Sequence, residues 1–398
     1  MTYSTPLIPL LLGLLLGFLA SAGLAQSGSA ESSQPAQTNT ARILKVGPTR
    51  ALKLPSAAAK IAKDGDVIEI DAGLYQNDYA IWRADRLTIR GVGDGMVHMR
   101  SRGLIPNGKA IWITRGDEIR IDNIEFSGAA VKDTNGAGIR HEGRLLSIHN
   151  AFFHHNEFSI LSGNDPLAEI LITSSRFWFQ RRPNRFSHGI YIGAAGRFEI
   201  RGSHIKGTDH GHQLKSRARE NYIAYNRIED VPDGNASRAI DLPNCGFSII
   251  IGNDLHQAAG SPNHNFIGYG PEGCESRDKH QRTLIVVNNT VINAAPTAVF
   301  VRNFTEVSVT VANNLLLGPG IFLEGKGREL GNIREAVPES AILNWDLSPN
   351  SRAVDGAISL PNPYGLSLQP IYEFTPPFGY AERPKDAALD AGSREYVE

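Results

Sequence analysis

Short runs of alternating apolar and polar residues recur along most of the chain, at a spacing that predicts a stack of similar coils. The central apolar residues are Ile121 in EIRIDNIEF, Ile148 in LLSIHNAFF, Ile172 in EILITSSRF, Ile200 in RFEIRGSHI, Ile223 in YIAYNRI, Ile250 in SIIIGNDL, Val286 in LIVVNNTV and Val309 in VSVTVANNL. Successive differences are 27, 24, 28, 23, 27, 36 and 23 residues. Period-2 strands repeated every 20–30 residues mark a solenoid, because one coil cannot bury its own apolar face and must stack on the next. Many segments end in Asn or Ser followed by another apolar position, as in Ser203-His204-Ile205, Asn226-Arg227-Ile228, Asn253-Asp254-Leu255 and Asn289-Thr290-Val291. Asn tolerates left-handed backbone and bonds along a stack of turns, so it is expected at the corner between two short strands. The pattern predicts an all-β fold, a parallel β-helix of eight or more coils between Ile68 and Leu317.

Outside the repeat the pattern changes. Residues 7–25 are apolar and end in Gly-Leu-Ala. They read as a signal peptide over 1–25, cleaved after Ala25, and hence as export to the periplasm or the exterior. A membrane anchor is the alternative, since the first residues carry no Lys or Arg. Residues 26–42 are polar and low in complexity, a disordered leader. A short amphipathic helix is expected over 55–63, with Ser56 as its cap, closing the open end of the solenoid. The β-helix is expected over 43–325. Residues 326–398 lose the period and gain proline, and are expected to pack on the solenoid as a C-terminal tail.

The order helix, Gly65-Asp66, strand, Ala72-Gly73-Leu74-Tyr75 and then RLTIRGVG resembles the start of right-handed parallel β-helix proteins of the pectin-lyase type. That resemblance spans about residues 43–325 and implies the fold.

Composition agrees with a corner-rich solenoid: 398 residues contain 40 Gly and 22 Pro, with 8% aromatics. A net charge of −1 names no partner. From Arg176 to Arg219, however, ten Lys/Arg face two acids, Glu199 and Asp209. Phe177-Trp178-Phe179 and four histidines share that stretch. Coils about 4.8 Å apart would concentrate these cations into a patch that draws a polyanion. Export argues against nucleic acid and for an acidic polysaccharide, bound by a monomer.

Aligning the coils gives a candidate site. Ile190, Leu214, Ile240 and Ile267 are expected to point inward, so Tyr191, Lys215, Asp241 and Gly268 form one outward ladder, with Gly268 leaving room beyond. Two residues on come Gly193, Arg217, Pro243 and Gly270. A lysine among an arginine, a tyrosine and an acid suits removal of the proton α to a uronate carboxylate. A cation must neutralise the carboxylate and a base must take the proton. The stretch GHQLKSRARENYIAYNRI resembles the coil of chondroitinase-B and alginate-lyase relatives that carries their lysine base in a Lys-Ser context. This resemblance implies Lys215 as base. The next coil departs from the relatives: where they have an Arg followed by His-Gly-Asn, this chain has Asp241-Leu242-Pro243-Asn244. Arg217 or Arg238 would have to replace the missing arginine.

The candidate catalytic set is therefore Lys215, Arg217, Asp241 and Tyr191. His188, His210, His212, Arg219, Arg238, Asn244 and Glu272 are candidate substrate-binding residues. His188 and His212 also fall where inward, hydrogen-bonded core histidines would lie. No cofactor is required, although Asp241, Asn244 and Glu272 could together hold Ca²⁺. The expected activity is β-elimination of a uronate-containing polysaccharide. The alternatives are a C5-epimerase, a glycoside hydrolase using Asp241 and Glu272, and a non-catalytic envelope carbohydrate-binding protein. Cys245 and Cys274, on consecutive coils, are expected to form a disulfide, which an oxidising compartment preserves.

Overall fold

The computed structural model describes residues 41–181, 187–275, 277–337, 345–361, 365–385 and 388–397. The expected signal peptide and most of the leader lie outside them. Among the described residues, no helix is long and apolar enough to cross a membrane.

Each coil contributes up to three short strands, and every one pairs in parallel with its counterpart on the neighbouring coil. The first face holds Ile119–Asp122, Leu145–His149, Glu169–Thr173, Arg197–Arg201, Glu220–Ala224, Phe247–Ile251, Leu284–Val287, Val309–Ala312 and Gly327–Leu330. After a tight corner the second face runs from Ile124–Ser127 through Phe152–His154, Arg176–Trp178, His204–Lys206, Arg227–Glu229, Asp254–Gln257, Thr290–Asn293 and Leu315–Leu317 to Ile333–Glu335. The third face is a separate ten-stranded sheet from Ala80–Trp82 to Ile321–Glu324. The fold is a parallel β-helix.

Register follows from the period. Ile89, Ile121, Ile148, Ile172, Ile200, Ile223, Ile250, Val286 and Val311 are successive Cα partners, all fully or almost fully buried. The last member is Val311, two residues beyond the expected Val309. Both point inward, so alternation alone could not choose between them. Aromatics form a second internal stack: Trp112, Phe126, Phe153 and Phe177 have successive centroids 5.0, 5.0 and 5.1 Å apart. Phe177 of the aromatic triplet is thus core, not a sugar platform.

The corner asparagines bond along the stack as expected, but the residues of the ladder do not themselves take the left-handed backbone. Asn226, Asn253, Asn289 and Asn314 form a buried ladder in which each Nδ2 donates to the Oδ1 of the next, at 2.9–3.0 Å, ending on Asn332. Each Oδ1 also accepts the backbone N–H of the preceding rung. The left-handed backbone belongs to the residue just before: Tyr225, Gly252, Asn288, Asn313 and Gly331 have φ of 56°, 66°, 50°, 53° and 59°. The turn needs one residue to reverse the chain and a second to satisfy the exposed amides.

Two boundaries also differ. The helix is Pro55–Ile61 with Leu54 as N-cap and proline at its first position, while the Ser56 amide donates to Asp78. Proline, lacking an N–H, starts the helix without the expected serine cap. The solenoid continues past 325, through Gly327–Leu330 and Ile333–Glu335. The tail then runs back along the second face. Phe374 and Trp345 lie over Arg227, Phe378 lies over Arg176, and Ser393 and Arg394 bind buried Asp254.

Candidate active site

The third face carries the predicted outward ladder in the predicted register. Tyr191 pairs with Lys215, Lys215 with Asp241 and Asp241 with Gly268, while Ile190, Leu214, Ile240 and Ile267 align beneath them. Lys215 Nζ sits between two carboxylates, 3.3 Å from Asp241 Oδ2 and 3.1 Å from Glu272 Oε1. Arg217 grips Glu272 with two nitrogens, Nη1 to Oε2 at 2.6 Å and Nη2 to Oε1 at 3.0 Å. It also donates from Nε to the Tyr191 hydroxyl at 2.8 Å and from Nη1 to Asn244 Oδ1. The hydrogen bond from Arg217, then that from Lys215, pull the Glu272 carboxyl down to about 2 against its partial burial. Burial opposes charge on Arg217, but its bonds to Glu272 and Tyr191 outweigh that and raise its pKa.

Asp241 is the anchor beneath. Its side chain is 1% exposed and meets Lys215, Arg238 Nη1 at 2.7 Å and His212 Nε2 at 3.4 Å. Arg238 reaches Asn265 Oδ1 as well, at 2.5 Å. Its guanidinium fills the room that Gly268 leaves, since a Cβ there would lie 2.9 Å from Arg238 Nε. Arg238 therefore enters the ladder from outside it. Phe304 lies beneath both Arg238 and Arg302, 5.5 and 4.8 Å from their guanidinium carbons. Arg302 continues the ladder one coil past Gly268. Sequence reasoning missed both Arg302 and Phe304. The alternation in VFVRNF was the available signal, but it lies 34 residues after Ile267, beyond a long loop.

His188 and His212 do not enter the core. Their rings stack 5.1 Å apart at 10°, and Tyr191 stacks on His188 at 5.7 Å. His212 precedes its strand, Leu214–Ser216, and His188 is the first residue of its own, His188–Ile192, where the chain enters the sheet. Burial, then Arg238 and Lys215, push the His212 imidazole down to about 3, so it is neutral at ordinary pH. His210 stands apart, exposed at a corner with Asp209 and Asn235. Arg219 is exposed near Arg277 and lies outside the network.

Among the described residues the expected basic patch does not form. Arg176 lies on the second face, Arg197 and Arg201 flank Glu199 on the first, and Lys206 pairs with Glu229 on the second. One coil visits all three faces, so charges adjacent in sequence disperse around it. Arg182 and Arg185 fall outside the described residues. Nor do Asp241, Asn244 and Glu272 suit Ca²⁺. Each directs oxygen at a cationic side chain, Lys215, Arg217 or Arg238, so an ion would meet positive charge from several sides. Asp241 is also too buried to face a substrate.

The loop carrying Glu272 is fastened twice. Cys245 and Cys274 form a disulfide with Cα atoms 5.5 Å apart, closing 29 residues; a loop of that length is worth about 3–4 kcal/mol in the chain-entropy model. Buried Arg277 donates to the backbone carbonyls of Arg217 and Asn244. The loop thus holds both the arginine and its carboxylate partner in place.

No protein-family model and no curated protein sequence matches the chain. Solved structures do. Pectate lyase Pel9A superposes with a TM-score of 0.59 at 12% identity, over 90% of this chain and 97% of that one. An alginate lyase from Paenibacillus sp. str. FPU-7 gives 0.50 at 14% identity, over 70% and 96%. At such identities the likeness is one of fold, and the chain shares the parallel β-helix fold with these two proteins.

Proposed function

We propose that the groove over Tyr191, Lys215, Arg217 and Arg238 binds a uronate-containing polysaccharide and cleaves it by β-elimination. The observation that carries this reading is the carboxylate of Glu272, held by Arg217 and Lys215 where a uronate carboxylate would bind. Planar, two-point gripping by arginine is the geometry that best recognises a carboxylate. Exchange of Glu272 for the substrate's carboxylate leaves Arg217 neutralising it and frees one side of Lys215. Lys215, having given a proton to solvent to become a neutral amine, then takes the proton α to the carboxylate. The electron pair forms the new double bond, the bond to the leaving sugar breaks, and the departing oxygen takes a proton. Tyr191 accepts from Arg217 and so keeps its own O–H to donate to that oxygen. Asp241 and Arg238 position Lys215. The two structural neighbours, named for pectate and alginate lysis, act on acidic polysaccharides and support the substrate class.

A glycoside hydrolase needs two carboxylates facing one groove. Asp241 is buried among Lys215, Arg238 and His212, which disfavours that alternative. The apolar N-terminal stretch supports export.

The test is ultraviolet absorbance of the unsaturated product during incubation with pectate, alginate and chondroitin. Lys215→Ala should lower turnover by about 10²–10⁴ and leave polymer binding within a few-fold. Arg217→Ala should weaken both. Binding without product from every polymer would instead favour a carbohydrate-binding protein, and proton exchange without cleavage an epimerase.

A further inference from the structure

On the second face, three consecutive coils converge on one point. His98, Glu125 and His154 come from the strands Thr88–Arg100, Ile124–Ser127 and Phe152–His154. His98 Nε2 and His154 Nε2 lie 3.3 and 2.8 Å from the same oxygen, Glu125 Oε1. All three ligand atoms fall within 4.8 Å of one another. Their side chains are 24%, 21% and 18% exposed, sheltered but reachable. We propose that His98, Glu125 and His154 bind a divalent transition-metal ion of the zinc class, with solvent at its remaining position.

Three arguments support the site. The first is spacing. Ligand atoms on a tetrahedral ion with bonds of 2.0–2.1 Å stand about 3.3 Å apart. One of the two separations to Glu125 already has this value, and the other must open by a few tenths of an ångström. The second is the outer shell. A metal-bound imidazole commonly donates its other N–H to a fixed acceptor. His154 Nδ1 lies 2.8 Å from His155 Nδ1, and at that distance one nitrogen donates and the other accepts. With His154 Nε2 on the ion, its proton sits on Nδ1 and His155 accepts it. Ser127 Oγ stands 2.7 Å from His98 Nε2, placed to bond a metal-bound water.

The third is charge, which selects the class of ion. Glu125 supplies the carboxylate, its Oε1 2.8 Å from His154 Nε2 and 3.3 Å from His98 Nε2. Arg176 approaches from the next coil, over the Phe152 ring at 4.2 Å, and Arg100 adds positive charge near His98. One carboxylate beside two cations is too little negative charge for Ca²⁺ or Mg²⁺, which want an oxygen cage. Two imidazoles and a carboxylate suit zinc, cobalt, nickel or copper. Among the described residues Glu125 is the acid these groups face, so its loss removes that negative charge from the site. The inference is independent of the groove around Lys215.

The test uses the untagged full chain, stripped with chelator and titrated calorimetrically with zinc chloride. One equivalent should bind. Glu125→Gln and His154→Gln should each weaken it by at least about 100-fold, and His155→Phe by about 10-fold. Lys215→Ala should leave it unchanged. Circular dichroism of the stripped variants controls for folding, and cobalt(II) supplies a second readout through tetrahedral absorption bands lost in Glu125→Gln. No stoichiometric zinc binding by the wild type, or equal binding by both ligand variants, would overturn the proposal.

Discussion

Arg238 lies in the space above Gly268 that any side chain would claim: a Cβ on Gly268 would stand 2.9, 3.0 and 3.1 Å from its Nε, Cδ and Cζ. From there Arg238 binds Asp241, and Asp241 binds Lys215. A residue without a side chain thus admits Arg238 to the ladder between Asp241 and Arg302.

Gly268→Ala is expected to displace the Arg238 guanidinium while leaving the fold intact. The backbone at Gly268 is not left-handed and the crowded atoms are the flexible end of a side chain, so stability should change by under about 1 kcal/mol. Polymer affinity should fall several-fold and become less salt-dependent. Unchanged binding over a salt series would show that Arg238 is not part of the groove.

Glu272→Gln is expected to tighten polymer binding. The carboxylate now competes for Arg217 and Lys215, and the amide cannot match its charge. At every pH where the substrate's carboxylates are ionised the variant's advantage should hold, because Glu272, held down at about 2, is ionised there too. Weaker binding by Glu272→Gln would mean that the glutamate contacts the polymer rather than standing in for it.

Asn253→Ala should cost about 2–4 kcal/mol. It leaves the buried Asn226 amide without its acceptor and opens the ladder at Asn289, and each buried unsatisfied group costs about 1–3 kcal/mol. Ala224, on the adjacent rung two residues before the ladder, offers a contrast: its side chain packs apolar, so Ala224→Ser should be milder. Urea denaturation of both variants measures the difference.

Glu229 predicts an acid limb in stability. Burial acts to raise its carboxyl, but the bond from His204 Nε2 at 3.0 Å and Lys206 Nζ at 2.9 Å overcome it and hold it at about 2. A carboxyl depressed in the folded state contributes stability above its unfolded value, and that contribution fades as pH falls from about 4.5 to about 2. Denaturant midpoints of Glu229→Gln should start lower at pH 6 and decline less steeply through that window. Parallel slopes for both proteins would refute the assignment.

The strand repeat, the inward column from Ile190 to Ile267 and the outward run Tyr191, Lys215, Asp241 were legible in the sequence. Alternation forces every second side chain outward, and near-constant intervals carry that parity from coil to coil. The pairing of Cys245 with Cys274 was legible for the same reason. Tertiary structure alone decided what parity does not control: which of two inward valines, Val309 or Val311, continues a column, and which faces receive the cations between Arg176 and Arg219. It also decided the long-range partners. Glu272 reaches Arg217 across 55 residues, Arg238 reaches sideways over Gly268, and Phe304 joins them from a later coil. His98, Glu125 and His154 lie 27 and 29 residues apart in sequence, and meet because two steps of the helix stack them within one another's reach. Sequence periodicity sets which way a side chain points; where long side chains and loops of irregular length end is set by the charges and space they find.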